Sequence, residues 1–171
     1  MNDLILILLG LFPVLAIVAG LHDLATMKIP NWISLLLIVG FFPVALMVGL
    51  SLPTVALHVA VGLLALVIGA GMFALNWIGG GDAKLIAAAC LWLGVGGSGA
   101  FLLYTGVCGG GFCLLLLMAR KHVAPVMGAA PGWVAHLMQP KGDIPYGVAI
   151  AAGALLAFPA SEMMTRFSAG L

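Results

Sequence analysis

The sequence predicts an all-α integral membrane protein with about six transmembrane helices. Of its 171 residues, 64% are hydrophobic and only 6% are charged, whereas a soluble globular domain carries roughly 25% charged residues. The apolar runs are continuous rather than alternating, which favours helices over the strands of a membrane barrel. One span needs about 20 apolar residues, so a single polytopic domain over residues 1–171 leaves no room for a separate soluble domain.

Six apolar runs divide the chain. They cover approximately residues 4–21, 33–50, 54–78, 85–95, 100–118 and 144–159. The first follows Asp3 instead of a basic segment and is long for the apolar core of a signal peptide, so we expect a retained span. The fourth is short, and the glycine-rich stretch 96–99 is expected to form the turn that follows it.

The basic residues predict the orientation of these spans. On one side lie Lys28, Lys84, Arg120, Lys121 and Lys141, and on the other only Arg166. Cytoplasmic loops carry the excess of Lys and Arg. We therefore expect the charged loops in the cytoplasm and both termini outside.

Two carboxylates on that same side are the candidates for chemistry. Asp23 ends the first span, and Asp82 follows three glycines at the start of the fourth. The helix dipole disfavours the ionised form of Asp23 and favours that of Asp82. Such a difference suits an acid/base pair that shares one proton and activates water. The structural alternatives are an Asp23 neutralised by Lys28 and an Asp82 that caps its helix.

A third polar segment leads into the last span, with the sequence Ile144-Pro145-Tyr146-Gly147. Pro145 fits the first turn of a helix. Tyr146 is either an anchor in the membrane interface or a hydrogen-bond donor near the aspartates. Asp143 is better explained as a loop charge beside Lys141 than as a third catalytic acid.

The remaining polar residues predict no metal or cofactor site. His22, His58, His122 and His136, together with Cys90, Cys108 and Cys113, show no metal-ligand spacing. A net charge of +1 argues against a nucleic-acid-binding surface. We expect the partners to be the lipid bilayer and other membrane-embedded chains.

Together the three segments resemble the type IV prepilin peptidases, in particular the short form associated with tight-adherence (Flp-type) pili. That family has an Asp shortly before I-P-N, a G-x-G-D followed by x-K, and a late I-P-Y/F-G. The matching residues here are Asp23, Ile29-Pro30-Asn31, Gly79, Gly81, Asp82, Lys84 and Ile144-Pro145-Tyr146-Gly147.

The resemblance implies an intramembrane-type aspartyl endopeptidase of the bacterial inner membrane. Its substrate is a prepilin, a membrane-embedded helix whose leader is cleaved at the cytoplasmic face. Asp23 and Asp82 are then the catalytic pair, with water as the nucleophile and no metal. The residues expected to position the substrate are Gly79, Gly81, Lys84, Pro145, Tyr146 and Gly147.

Some features depart from the family pattern or favour other functions. Ala25 and Met27 stand where relatives carry basic residues, and the cysteine-rich segment linked to N-methylation is absent, so no methyl transfer is expected. One alternative is a small transporter or channel subunit with Asp23, Asp82 and Lys84 along an ion path. Another is a G-x-G-D protease of the presenilin or signal-peptide-peptidase kind, although their late P-A-L motif is missing.

Overall fold

A computed structural model describes residues 2–122, 131–140 and 142–170, and the regular structure of these residues is helical throughout. The α-helices are α1 (Asn2–Leu9), α2 (Leu11–Thr26), α3 (Asn31–Met47), α4 (Leu52–Ala74), α5 (Gly80–His122), α6 (Gly132–Leu137), α7 (Tyr146–Ala157) and α8 (Glu162–Ala169). A 3-10 turn, Phe158–Ala160, joins α7 to α8. The predicted all-α class is confirmed for this part of the chain.

Four helical stretches of the described chain are long and apolar enough to cross a membrane. They are Asp3–Thr26, Leu52–Ala74, Gly80–His122 and Tyr146–Ala169. Helix α3 is apolar but shorter, with 17 residues. The chain is therefore an α-helical membrane protein, and the total of six crossings remains a prediction.

Helix α5 bends sharply at Gly94, where φ is 63° and ψ is −166°. This conformation strains any residue with a Cβ. Before the bend, Trp92 packs against Phe12 of α2. After it, Gly109 lies against Tyr146, at the start of α7. The two halves of α5 are therefore antiparallel segments.

The position of this bend corrects the expectation that residues 96–99 form the turn, because those residues are helical. The buried imidazole of His58 explains the difference. Its Nδ1 donates to the carbonyl oxygen of Leu91 at 2.8 Å, and its ring occupies the space that a side chain at position 94 would need. Glycine at that position lets the backbone turn around the imidazole.

Small residues bring the central helices together. A Cβ on Gly20 of α2 would lie 2.9 Å from the Cβ of Ala151 of α7, and one on Gly109 would lie 3.3 Å from Ala149. Close approach at small residues is a common means of helix packing in membranes. The α2–α7 and α5–α7 contacts place the C-terminus of α2 beside the N-termini of α5 and α7. We call this the Asp23 end of the bundle, and the opposite end, where α8 begins, the Glu162 end.

Three helix boundaries differ from the predicted ones. Helix α2 continues to Thr26, so Asp23 lies inside its last turn instead of ending it. Helix α4 ends at Ala74 and leaves residues 75–79 in an irregular connection. The last predicted span stopped at residue 159, but α8 follows it, since the hydroxyl of Ser161 accepts a bond from the amide of Met164 and starts a new helix.

Candidate active site

A cavity of about 530 Å³ opens at the Asp23 end of the bundle. Its lining residues come from α2, from the irregular connection after α4, from α5 and from the segment before α7. They are Asp23, Met27, Asn76, Trp77, Ile78, Gly79, Asp82, Gly142, Asp143, Ile144, Pro145 and Tyr146. A second space of about 590 Å³ is an apolar groove between α3, α4 and α5, with no carboxylate in its lining. The polar cavity is therefore the candidate site.

Asp23 is nearly enclosed, with 5% of its surface exposed. Its Oδ2 accepts a hydrogen bond of 2.7 Å from the backbone N–H of Gly147. Position 147 has to be glycine for this contact, because a Cβ there would lie 2.8 Å from the Cβ of Asp23. Gly147 belongs to the first turn of α7, whose N–H groups lack partners within the helix.

This contact changes the electrostatic expectation for Asp23. The sequence places its carboxylate at the negative end of α2, whereas the fold also brings it to the positive end of α7. Asp82, at the start of α5, has a comparable environment. The predicted placement of Asp23 at the end of one helix and Asp82 at the start of another is confirmed. The contact with Gly147 adds the N-terminus of α7 beside Asp23, so that each carboxylate also meets a helix N-terminus.

Asp82 is half-buried in the first turn of α5. Its Oδ2 accepts a hydrogen bond of 3.2 Å from the N–H of Gly79, as the third residue of a helix does in a capping box. A Cβ on Gly79 would lie 2.9 Å from that oxygen. Asp82 therefore caps its helix, as the structural alternative predicted. It also lines the cavity.

Asp23 and Asp82 line the same cavity, and two ionised carboxylates that share a site repel one another. A single proton held between two neighbouring carboxylates relieves such repulsion. The described residues contain two ion pairs, and both involve Glu162 at the opposite end of the bundle. Within this part of the chain, Asp23 and Asp82 have backbone amides as partners and no cation within 4 Å.

Ile29 connects all three sequence motifs. A Cβ on Gly81 would lie 3.0 Å from the Cβ of Ile29, and one on Gly147 would lie 2.9 Å from its Cδ1. Gly81 therefore permits α5 to approach the connection between α2 and α3. It packs there and is absent from the cavity lining.

Lys84 points away from the cavity. Its Nζ donates a hydrogen bond of 2.8 Å to Oδ1 of Asn31, which links the first turns of α5 and α3. Both side chains border the apolar groove. Sequence reasoning missed this partner of Lys84, although Asn31 belongs to the I-P-N motif and was the available signal.

The late motif forms one wall of the cavity. Pro145 immediately precedes α7 and is buried, and Tyr146 is 47% exposed with its ring beside Gly109. Asp143 also lines this wall. Its expected neighbour, Lys141, lies outside the described residues.

A second part of the cavity lining was not predicted from the sequence. Asn76, Trp77 and Ile78 line the cavity, but the apolar run 54–78 predicted that they continue a helix. Asn76 adopts a positive φ of 59°, a conformation that Asn tolerates better than most residues. Asn76, three residues before the triple glycine, was the sequence signal for an earlier helix end.

No group of three His, Cys, Asp or Glu side chains suited to a metal ion occurs among the described residues. The two carboxylates in the cavity lining that come from α2 and α5 are those of Asp23 and Asp82.

A comparison with known protein families shows which family the chain belongs to. The model of the type IV leader peptidase family matches residues 10–114, more than half of the chain. The chain belongs to the type IV leader peptidase family. The matched segment includes Asp23, Asp82 and Lys84 and ends before the late I-P-Y-G motif. No curated protein and no solved structure matches the chain. The family predicted from the three motifs is thus confirmed, and with it a peptidase class.

Proposed function

We propose that this member of the family is an aspartic endopeptidase that removes the leader of a Flp-type prepilin at the cytoplasmic face of the bacterial inner membrane. The observation that carries the proposal is the shared cavity of Asp23 and Asp82. Each carboxylate accepts a hydrogen bond from one backbone amide, and two carboxylates in one cavity favour sharing a single proton.

The pair supports peptide hydrolysis by general acid/base catalysis. The ionised carboxylate accepts a proton from water, and the oxygen attacks the carbonyl carbon of the scissile bond. The protonated carboxyl group donates its proton to the carbonyl oxygen. When the tetrahedral intermediate breaks down, the proton taken from water passes to the leaving amine. Each such transfer contributes about 10²- to 10⁴-fold to the rate.

The walls of the cavity suit an extended peptide. One wall consists of residues 76–79 and the other of residues 142–146, and Gly79 beside Asp82 exposes bare backbone. A chain passing between these walls lies across both carboxylates. The apolar helix of a prepilin would remain in the bilayer while its leader enters the cavity from the Asp23 end.

Co-expression with a Flp-type prepilin, in a host that lacks such peptidases, tests the proposal. The wild-type chain is expected to remove the leader, and Asp23→Asn and Asp82→Asn are expected to leave the precursor intact. A prepilin of another pilus class serves as the substrate control. Efficient leader removal by both variants would contradict the aspartic mechanism.

A shared proton also predicts the pH dependence of cleavage. The active form carries one proton on the pair, so kcat/KM is expected to fall at low pH, where both groups are protonated, and at high pH, where both are ionised. The profile is measured with purified protein in detergent. A constant kcat/KM from acid to neutral pH would exclude the shared-proton mechanism.

A further inference from the structure

Arg120 is buried near the C-terminus of α5, with 8% of its surface exposed. Its guanidinium donates three hydrogen bonds to backbone carbonyl oxygens. Nε donates to Leu137 at 2.9 Å, Nη1 to Gly142 at 2.8 Å and Nη2 to Asp143 at 2.7 Å. Within the described residues, no carboxylate oxygen lies within 4 Å of this guanidinium.

This environment is specific to arginine. A buried charge is costly unless its donors are satisfied, and the planar fork of a guanidinium reaches several acceptors at fixed angles. The three carbonyls belong to two segments. Leu137 ends α6, and Gly142 and Asp143 lie in the irregular connection before α7. A lysine has one nitrogen and cannot span them in the same way.

The clamped carbonyls belong to the candidate active site. Gly142 and Asp143 line the cavity, and four residues after Asp143 the N–H of Gly147 donates to Asp23. Fixing the backbone at positions 142 and 143 therefore sets how the first turn of α7 meets the carboxylate.

We propose that Arg120 is a positioning residue of the peptidase. It holds the wall of the cavity formed by residues 142–146 and, through Gly147, the carboxylate of Asp23. It is absent from the cavity lining and acts through the backbone. This inference rests on the proposed function. Sequence reasoning used Arg120 only as a marker of orientation, because its burial depends on carbonyls 17 to 23 residues away.

The test compares Arg120→Lys and Arg120→Gln with matched variants of Arg166. Arg166 is 45% exposed and pairs with Glu162 at the other end of the bundle, so Arg166→Lys and Arg166→Gln are the controls. The measurements are kcat and KM per folded protein for prepilin cleavage, and hydrogen exchange at the Gly147 amide.

We expect Arg120→Gln to lower kcat by about 10- to 100-fold, since small displacements of reacting groups have effects of that size. Protection of the Gly147 amide should fall in the same variant. Arg120→Lys should give an intermediate result, and both Arg166 variants should match the wild type. Unchanged kcat per folded protein in Arg120→Gln would overturn the proposal, as would unchanged protection at Gly147.

Chemical rescue covers the case in which Arg120→Gln folds poorly. Arg120→Gly with added millimolar methylguanidinium should regain kcat, and recovery of folded protein without recovery of kcat would show a purely structural role. If the wild-type chain fails to cleave the prepilin, the proposed function is wrong. The exchange at Gly147 then still decides whether Arg120 holds α7 against Asp23.

Discussion

The carboxylates at the two ends of the bundle have different partners. At the Glu162 end, Glu162 is 42% exposed, pairs with Arg166 at 3.2 Å and lies 3.8 Å from Nε2 of His58. At the Asp23 end, Asp23 and Asp82 line a cavity and accept hydrogen bonds from backbone amides.

This difference separates a structural carboxylate from a pair suited to catalysis. The carboxylate of Glu162 is held in an ion pair by Arg166. Amide donors fix the geometry of Asp23 and Asp82 without adding a positive charge, and the repulsion between the two groups favours keeping one proton. The partners of a carboxylate therefore indicate its role better than its position at a helix end.

The largest contrast between the ends should appear when each carboxylate is made an amide. We expect Asp82→Asn to lower kcat about 10³-fold or more, because it removes one proton-transfer group. Glu162→Gln, the control at the other end, should keep kcat within about twofold, since exposed ion pairs contribute little. Prepilin cleavage by purified variants measures both values. Equal losses in the two variants would refute the contrast.

A smaller effect is expected from Gly147→Ala. Its Cβ would lie 2.8 Å from the Cβ of Asp23 and should displace the carboxylate from its amide donor, lowering kcat about 10- to 100-fold.

The control for this change is Gly110→Ala, a glycine in α5 with open space around the added methyl group. It should leave kcat unchanged. If Gly147→Ala cleaves at the wild-type rate, the bond between Gly147 and Asp23 has no part in catalysis.

The smallest effect concerns the brace between Lys84 and Asn31. Both residues are exposed, and hydrogen bonds of this kind contribute about 0.5–1.5 kcal/mol, so Lys84→Met and Asn31→Ala should each lower activity about two- to tenfold. The double variant should be no worse than either single one. Lys28→Met, an exposed lysine nearby, is the control. Additive losses would show that Lys84 acts independently of Asn31.

Much of the site was predictable from local sequence. The triple glycine before Asp82 predicted a helix start, the I-P-N and I-P-Y-G motifs predicted the starts of two more helices, and the charge pattern placed Asp23 and Asp82 at the same end of the bundle. These features depend on neighbouring residues and on helix periodicity.

The contacts that complete the site were not predictable in this way. Gly147 meets Asp23 across 124 residues of sequence, and Arg120 binds carbonyls whose positions depend on the packing of α6 and α7. The bend at Gly94 similarly depends on His58 of another helix. Among several glycines, only the tertiary contact shows which one turns the chain.

The most direct test of the proton-sharing pair is a comparison of Asp23→Asn, Asp82→Asn and the double variant in purified form. Groups that act as one unit have non-additive effects, so all three variants should show the same residual rate of prepilin cleavage, with the Gly147 amide still protected in Asp82→Asn. One proton-transfer group contributes at least about 100-fold to the rate. If either single variant keeps more than about a tenth of the wild-type kcat, Asp23 and Asp82 therefore do not form the catalytic pair.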